Sequence, residues 1–172
     1  MAERGTRTLR PISMQGSPVR PEAVVLRDYS QLNVREGRAL IEAKGLQPIA
    51  SFVQADAFDR AGIAAVVPRP TVAVVSGLYE LFQDNELVRR SLAGLADALE
   101  PGGLLVYTGQ PWHPQLELIA RALTSHRQGQ AWVMRRRTQD EMDQLVEAAG
   151  FRKITQRVDE WGIFTVSLAV RT

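Results

Sequence analysis

The segment from Pro70 to Gly103 constrains the fold of this chain more than any other. An apolar run from Val72 to Val75 predicts a buried strand that ends at Ser76 and Gly77. A helix with apolar residues at helical spacing follows and ends at Pro101-Gly102-Gly103, after which a second apolar run begins. A strand, a helix and a strand in this order form a βαβ unit, which places two parallel strands in one sheet.

The same alternation covers the chain from residue 21 to residue 172, so we expect one α/β domain with a mainly parallel sheet. The predicted strands lie near residues 23–27, 49–54, 71–76, 103–108, 153–159 and 163–171. The last two are expected to pair as an antiparallel hairpin. In the first predicted helix, Asn33–Lys44, we expect Val34, Leu40 and Ile41 to face inward.

Residues 1–20 are expected to form a basic tail, because they are polar, rich in Arg and show no periodicity. They hold four arginines against one glutamate, whereas the whole chain has a net charge of only +2, so residues 21–172 are close to neutral. A domain without a basic field is a poor nucleic-acid binder. The triplet Arg135 to Arg137 precedes a capping box, Thr138 to Glu141, and is interpreted as a solvated approach to a helix.

Several function classes are excluded by what the sequence lacks. No apolar run is long enough for a membrane span, and no Gly-x-Ser-x-Gly motif marks a hydrolase nucleophile. The chain has no cysteine, which suits the cytoplasm, and neither His113 nor His126 belongs to a metal-binding motif. We therefore expect a cytoplasmic protein with no metal site.

Carboxylates follow two consecutive predicted strands, at the edge where ligands bind in parallel sheets. Asp28 can accept hydrogen bonds from both hydroxyls of a ribose, or it can serve as a turn or N-cap residue. Asp56 can accept a hydrogen bond from an adenine amine while Phe58 covers the ring face, or it can form a turn before a helix capped by Asp59.

Several sequence segments carry a family resemblance: RDYS, QADAFD, SGLYELF, the Pro-Gly-Gly turn and the C-terminal DEWGIFTVSLA. Over residues 21–172 the chain resembles class I S-adenosylmethionine-dependent methyltransferases, especially the methyltransferase half of bacterial bifunctional hydrolase/methyltransferase proteins. The resemblance implies a Rossmann-like fold, S-adenosylmethionine as cofactor and a small-molecule methyl acceptor. It also implies cofactor contacts from the ends of three strands, at Asp28, Tyr29, Asp56, Ala57, Phe58, Ser76 and Gly77.

Three residues near the expected position of the acceptor are candidates for a catalytic role. His113 is either a general base or a residue that caps the helix after it, whereas Tyr79 and Glu80 are expected to orient the acceptor. His126, between two helices, is interpreted as structural. Methyl transfer depends mainly on alignment, so a base is not obligatory.

The family's first strand and its Asp-x-x-x-Gly-x-Gly loop have no counterpart in residues 1–20. Because nothing there matches that strand, we expect it to be missing or replaced. In the family it lies between the second and the fourth strands of the sheet, so its place would be empty unless another segment fills it. Residues Thr6 to Ser13, or a strand swapped from a second copy in a homodimer, are the candidates for this place. The chain is then either an enzyme that still binds S-adenosylmethionine or a non-catalytic remnant that serves as an interaction module. A nicotinamide-dependent reductase is disfavoured, because its glycine motif is missing too.

Overall fold

The computed structural model describes residues 20–124 and 131–172. Its strands are β1 Val24–Asp28, β2 Ala50–Gln54, β3 Val72–Val75, β4 Leu104–Gly109, β5 Phe151–Val158 and β6 Thr165–Arg171. Its helices are α1 Gln31–Ala43, α2 Arg60–Ala64, α3 Asn85–Ala98, α4 Leu116–Ala122 and α5 Gln139–Ala148. The predicted α/β class is confirmed, with every strand within two residues of its predicted bounds. Residues 1–19 and His126 lie outside the described part.

The described strands form two separate sheets. β1 and β2 are parallel, with Val24 opposite Ala50 and Asp28 opposite Gln54. The second sheet has the order β3-β4-β6-β5, in which β3 and β4 are parallel and β6 is antiparallel to both of its neighbours. The antiparallel hairpin is therefore confirmed. Among the described strands, β1 and β3 do not pair with each other, as expected if the family's first strand is missing.

Local sequence explains where the helices begin. The side chains of Ser30, Asp84 and Thr138 accept hydrogen bonds from the first-turn amides of α1, α3 and α5. At α5, the Glu141 amide donates to Thr138 Oγ1, as the capping box predicts. In the Pro-Gly-Gly turn after α3, Gly102 has φ of +86°, a backbone conformation that favours glycine.

The hydrophobic core lies on one face of the four-stranded sheet, where α3 and α5 cover it. Its fully buried members include Val88, Leu92, Leu105 and Val146. The β1–β2 sheet has a smaller core, and the expectation for Leu40 is wrong, since this side chain is 57% exposed. A two-stranded sheet covers only a narrow stripe of α1, so Leu40 lies beyond its reach.

Helix packing, and not strand pairing, joins the two sheets in the described residues. A Cβ atom on Gly94 of α3 would lie 2.9 Å from Ile63 Cβ of α2, which shows how closely these helices approach. Arg60 of α2 pairs with Asp97 of α3 at 2.6 Å. Arg27 of β1 donates a hydrogen bond to the Gly62 carbonyl at 2.7 Å, so β1 is also attached to α2.

Candidate functional site

Asp28 and Asp56 lie at the same edge of the β1–β2 sheet. Asp28 ends β1 opposite Gln54, and the Ala55 amide donates to the Asp28 carbonyl at 2.9 Å. Asp56 follows directly. The structure therefore brings the two predicted nucleotide-binding carboxylates to neighbouring positions at the carboxyl ends of adjacent parallel strands.

The Asp28 carboxylate has local partners. Its Oδ1 accepts from the Ser30 amide at 2.7 Å and its Oδ2 from Asn33 Nδ2 at 3.1 Å. These bonds fit the turn-forming role, which fixes the start of α1. Each carboxylate oxygen has two lone pairs, so the group retains acceptor capacity for a ligand hydroxyl. The neighbouring Tyr29 ring is exposed.

Asp56 and Phe58 have different surroundings. The exposed Asp56 carboxylate accepts from the Phe58 amide at 2.8 Å, which is an Asx turn. The Phe58 ring is buried and packs edge-to-face on Phe82, with ring centroids 4.3 Å apart. This burial does not fit the adenine-covering role expected of Phe58. The ring instead connects the loop after β2 with the loop after β3, while Ala57 beside it is half-buried.

Ser76 and Gly77 begin the loop after β3, and both are exposed. Gly77 has φ of +66°, and its amide donates to Thr108 Oγ1 of β4 at 2.9 Å. This bond ties the loop after β3 to the end of β4, so the carboxyl ends of these two strands are held together.

Tyr79 and Glu80 are both buried, in the short 3-10 turn Tyr79–Leu81. The Tyr79 hydroxyl donates to Ser91 Oγ at 3.0 Å, and burial raises the pKa of Tyr79. This placement gives Tyr79 a packing contact with α3 and does not support the acceptor-facing orientation expected of it. Glu80 differs, because its Oε2 accepts no hydrogen bond from the described residues. Burial raises the pKa of Glu80.

Two arginines of the triplet before α5 hold the loop that carries Tyr79 and Glu80. Arg137 is buried and donates to the Tyr79 carbonyl at 2.6 Å, the Phe82 carbonyl at 2.8 Å and Asn85 Oδ1 at 2.8 Å. Burial lowers the pKa of Arg137. The interpretation of the triplet as solvated is therefore wrong for Arg137. Bonds from a side chain to distant carbonyls leave no pattern in the sequence, so this contact was missed.

Arg135 adds a second attachment to the same loop. Its backbone amide donates to the Glu80 carbonyl at 2.7 Å, and its guanidinium donates to the Gln83 carbonyl. The guanidinium also pairs with Glu141 of α5 at 2.5 Å. The segment before α5 is thus fastened along the loop from Tyr79 to Gln83.

His113 lies just before α4. Its Nδ1 accepts a hydrogen bond from the Gln115 amide at 3.1 Å, and the side chain is half-buried. This contact is a local turn that ends at Gln115, the N-cap residue of α4, and α4 itself has no side-chain cap hydrogen bond. Within residues 20–124 and 131–172, no group of three or more potential metal ligands occurs and no helix is long and apolar enough to cross a membrane.

Comparison with known proteins identifies the family and the fold. The family model described as "Putative methyltransferase" matches residues 8–171. The chain belongs to this methyltransferase family. The protein YnbC of Escherichia coli (strain K12) is 63% identical to it over 148 residues, which cover 86% of this chain and 25% of YnbC. The chain thus spans about a quarter of the length of this relative.

Solved structures with low sequence identity share the fold. A SAM-dependent methyltransferase from Methanosarcina mazei is 18% identical, with a TM-score of 0.64, and the match covers 87% of this chain and 82% of that one. The magnesium protoporphyrin IX methyltransferase from Synechocystis PCC 6803, with bound SAH, is 13% identical, with a TM-score of 0.63. That match covers 87% of this chain and 64% of the other. The Rossmann-like methyltransferase fold is therefore shown.

Proposed function

We propose that this chain is an S-adenosylmethionine-dependent methyltransferase domain that acts on a small-molecule acceptor. The observation that carries the proposal is the placement of Asp28 and Asp56 at neighbouring strand ends in a methyltransferase fold. The loop after β3, which begins at Ser76 and Gly77, lies at the carboxyl ends of β3 and β4, and we assign it to the same cofactor site. The cofactor supplies an activated methyl group, and the chain supplies binding and alignment.

The adenosine end of the cofactor fits the residues present. The Asp28 carboxylate, fixed by Ser30 and Asn33, has acceptor capacity for the ribose hydroxyls. The exposed Asp56 carboxylate has acceptor capacity for the adenine amine, and Tyr29 and Ala57 stand beside these two groups in the sequence. The methionine end fits less well, because the sequence offers no glycine-rich loop whose backbone amides approach it.

On the acceptor side, we assign Glu80 the orienting role and His113 the role of a base or a polar contact. Glu80 is the better supported of the two, because its Oε2 is buried and no residue in 20–124 or 131–172 donates a hydrogen bond to it, whereas such groups normally have a partner. An acceptor hydroxyl or amine that reaches Oε2, which is closed to solvent in this structure, would provide that partner. We assign Tyr79 to packing, because its hydroxyl already bonds Ser91.

Calorimetric titration of the 172-residue protein with S-adenosylmethionine and S-adenosylhomocysteine tests the proposal. Each missing hydrogen bond at the methionine end removes roughly 0.5–1.5 kcal/mol, so we expect weak binding, orders of magnitude below that of a complete site. Asp28→Ala should abolish it. Ser30→Ala is the matched control, because it removes the α1 cap at the same place and keeps the carboxylate.

Two results would overturn the assignment. Micromolar binding that survives Asp28→Ala would show that the cofactor is held by other residues. Equal losses in Asp28→Ala and Ser30→Ala would show that Asp28 acts only through the start of α1. An absence of binding in the native protein at millimolar ligand would favour the non-catalytic interaction module, the alternative suggested by the missing glycine-rich loop.

A further inference from the structure

An open cavity lies beside the loop after β3. Its volume is about 480 Å³, and it is lined by Gln83 of that loop and by Met134, Arg135 and Arg136 of the segment before α5. Cavities of about 300–1,000 Å³ hold small organic molecules in other proteins. The cavity therefore has room for a ligand of that size.

The lining of this cavity combines donors with one apolar group. Two guanidinium groups and the side-chain amide of Gln83 supply N–H donors, and two of these three groups are positively charged. The Met134 thioether is soft and apolar, and it adapts to varied shapes. Carboxylate side chains are absent from the described residues that line the cavity. A lining of this composition suits a ligand with an anionic group on a carbon skeleton.

The three consecutive arginines of the triplet have different partners. Arg137 directs its guanidinium to backbone carbonyls of the loop after β3. The guanidinium of Arg135 is fixed at the cavity wall by the Gln83 carbonyl and by Glu141. Arg136 is exposed, and no residue within 20–124 or 131–172 forms a hydrogen bond or ion pair with its guanidinium. Arg136 is thus the member of the triplet whose N–H donors are available to a ligand.

The acidic neighbours of the cavity restrict the charge of that ligand. Glu141 pairs with Arg135, and it also accepts from Asn85 Nδ2 at 2.9 Å. Asp84 follows Gln83 directly, and its carboxylate accepts from the Glu86 amide at the start of α3. Two carboxylates near the cavity oppose a doubly charged phosphate more than a singly charged carboxylate. A carboxylate also matches the planar fork of a guanidinium.

We propose that this cavity, here called the arginine pocket (Gln83, Met134, Arg135 and Arg136), binds the carboxylate group of a small organic acid. Arg136 contributes a two-pronged contact, the Gln83 amide contributes another donor, and Met134 packs against the carbon skeleton. The identity of this acid as the methyl acceptor rests on the proposed function. The Arg135 amide donates to the Glu80 carbonyl at 2.7 Å, so the pocket adjoins the residue assigned to orient the acceptor.

Nuclear magnetic resonance titration of the 172-residue protein with hexanoate tests the proposal. At constant ionic strength, the side-chain N–H signals of Arg136 and Gln83 should shift and reach saturation. Hexanamide has nearly the same shape without the charge, and it should bind at least about tenfold more weakly. Inorganic phosphate, a probe for general anion binding, should also bind more weakly than hexanoate.

Three variants show whether one guanidinium is responsible. Arg136→Met keeps an apolar stem and removes the charged donors, so hexanoate should bind about tenfold more weakly. Arg136→Lys should recover only part of this loss, because an ammonium lacks the guanidinium fork. Arg157→Met is the matched control. It removes the same charge from an exposed position on β5 and should bind hexanoate within about twofold of the native protein.

Several results would overturn the proposal. These are the absence of saturable shifts, equal binding of hexanamide, tighter binding of phosphate, and equal losses in Arg136→Met and Arg157→Met. Arg136→Met should leave the calorimetric affinity for S-adenosylmethionine unchanged, and a parallel loss would assign the pocket to the carboxylate of the cofactor. Hexanoate binding without any S-adenosylmethionine binding would refute the proposed function and leave the carboxylate site in place. Cofactor binding without hexanoate binding would refute the pocket alone.

Discussion

Replacing Arg137 with methionine tests whether the segment before α5 holds the loop after β3. Methionine keeps an apolar stem and removes the guanidinium. Three hydrogen bonds of 2.6–2.8 Å are lost, to the carbonyls of Tyr79 and Phe82 and to Asn85. At about 1 kcal/mol for each bond, the free energy of unfolding should fall by about 3 kcal/mol. Removing a buried charge offsets part of this loss, so the fall should lie between about 2 and 3 kcal/mol.

Urea unfolding followed by circular dichroism measures the change. Arg136→Met is the matched control, because Arg136 is exposed, and it should change stability by less than about 0.5 kcal/mol. Arg137→Lys should recover only part of the loss, since an ammonium cannot reproduce the planar fork of a guanidinium. Hydrogen exchange at residues 79–83 should quicken in Arg137→Met alone. If Arg137→Met and Arg136→Met have the same stability, the loop is held by other contacts and the reasoning fails.

Three further substitutions test other contacts. Gly94→Ala should lower the free energy of unfolding by about 1–3 kcal/mol despite the better helix propensity of alanine, because the added Cβ meets Ile63. A more stable variant in urea unfolding would contradict this packing. Since burial raises the pKa of Glu80, its ionisation penalises the folded state, and stability should fall as pH rises from the ordinary carboxyl pKa through the raised one. Glu80→Gln should reduce this fall when unfolding is compared at acidic and neutral pH, and an unchanged pH dependence would refute the cause. Tyr79→Phe should lower the free energy of unfolding by about 1 kcal/mol, because the bond to Ser91 is lost, and should leave the cofactor affinity measured by calorimetry unchanged. A loss of affinity would show that Tyr79 contributes to the ligand site.

Most of the fold follows from the sequence, because strand and helix periodicity are local properties. Val72 to Val75 and the turn at Gly102 lie where apolar runs and turn residues predict them. The failure at Leu40 has a different origin. The helix pattern predicts an apolar stripe. How much of that stripe is buried depends on the width of the sheet that it packs against, and sheet width is not determined by the local sequence.

The candidate site was predictable only in part. The positions of Asp28 and Asp56 at strand ends follow from the strand pattern. The burial of Phe58 against Phe82 depends on two loops that approach each other in space, and the bond from Arg137 to the Tyr79 carbonyl spans 58 residues. Long-range contacts of this kind are set by tertiary packing. The capping box after the triplet favoured exposure for Arg137, and the position of Phe58 beside Asp56 at a strand end favoured ligand contact.

The division of the strands into two sheets has a consequence for motion. Two-stranded sheets are marginally stable by themselves, so the unit of β1, α1 and β2 should open at a lower free energy than the four-stranded sheet does. Asp28 and Asp56 both belong to this less stable unit. A ligand that binds these two carboxylates must therefore also select the closed state of the β1–α1–β2 unit. As more of the site is occupied, this half of the molecule becomes more ordered.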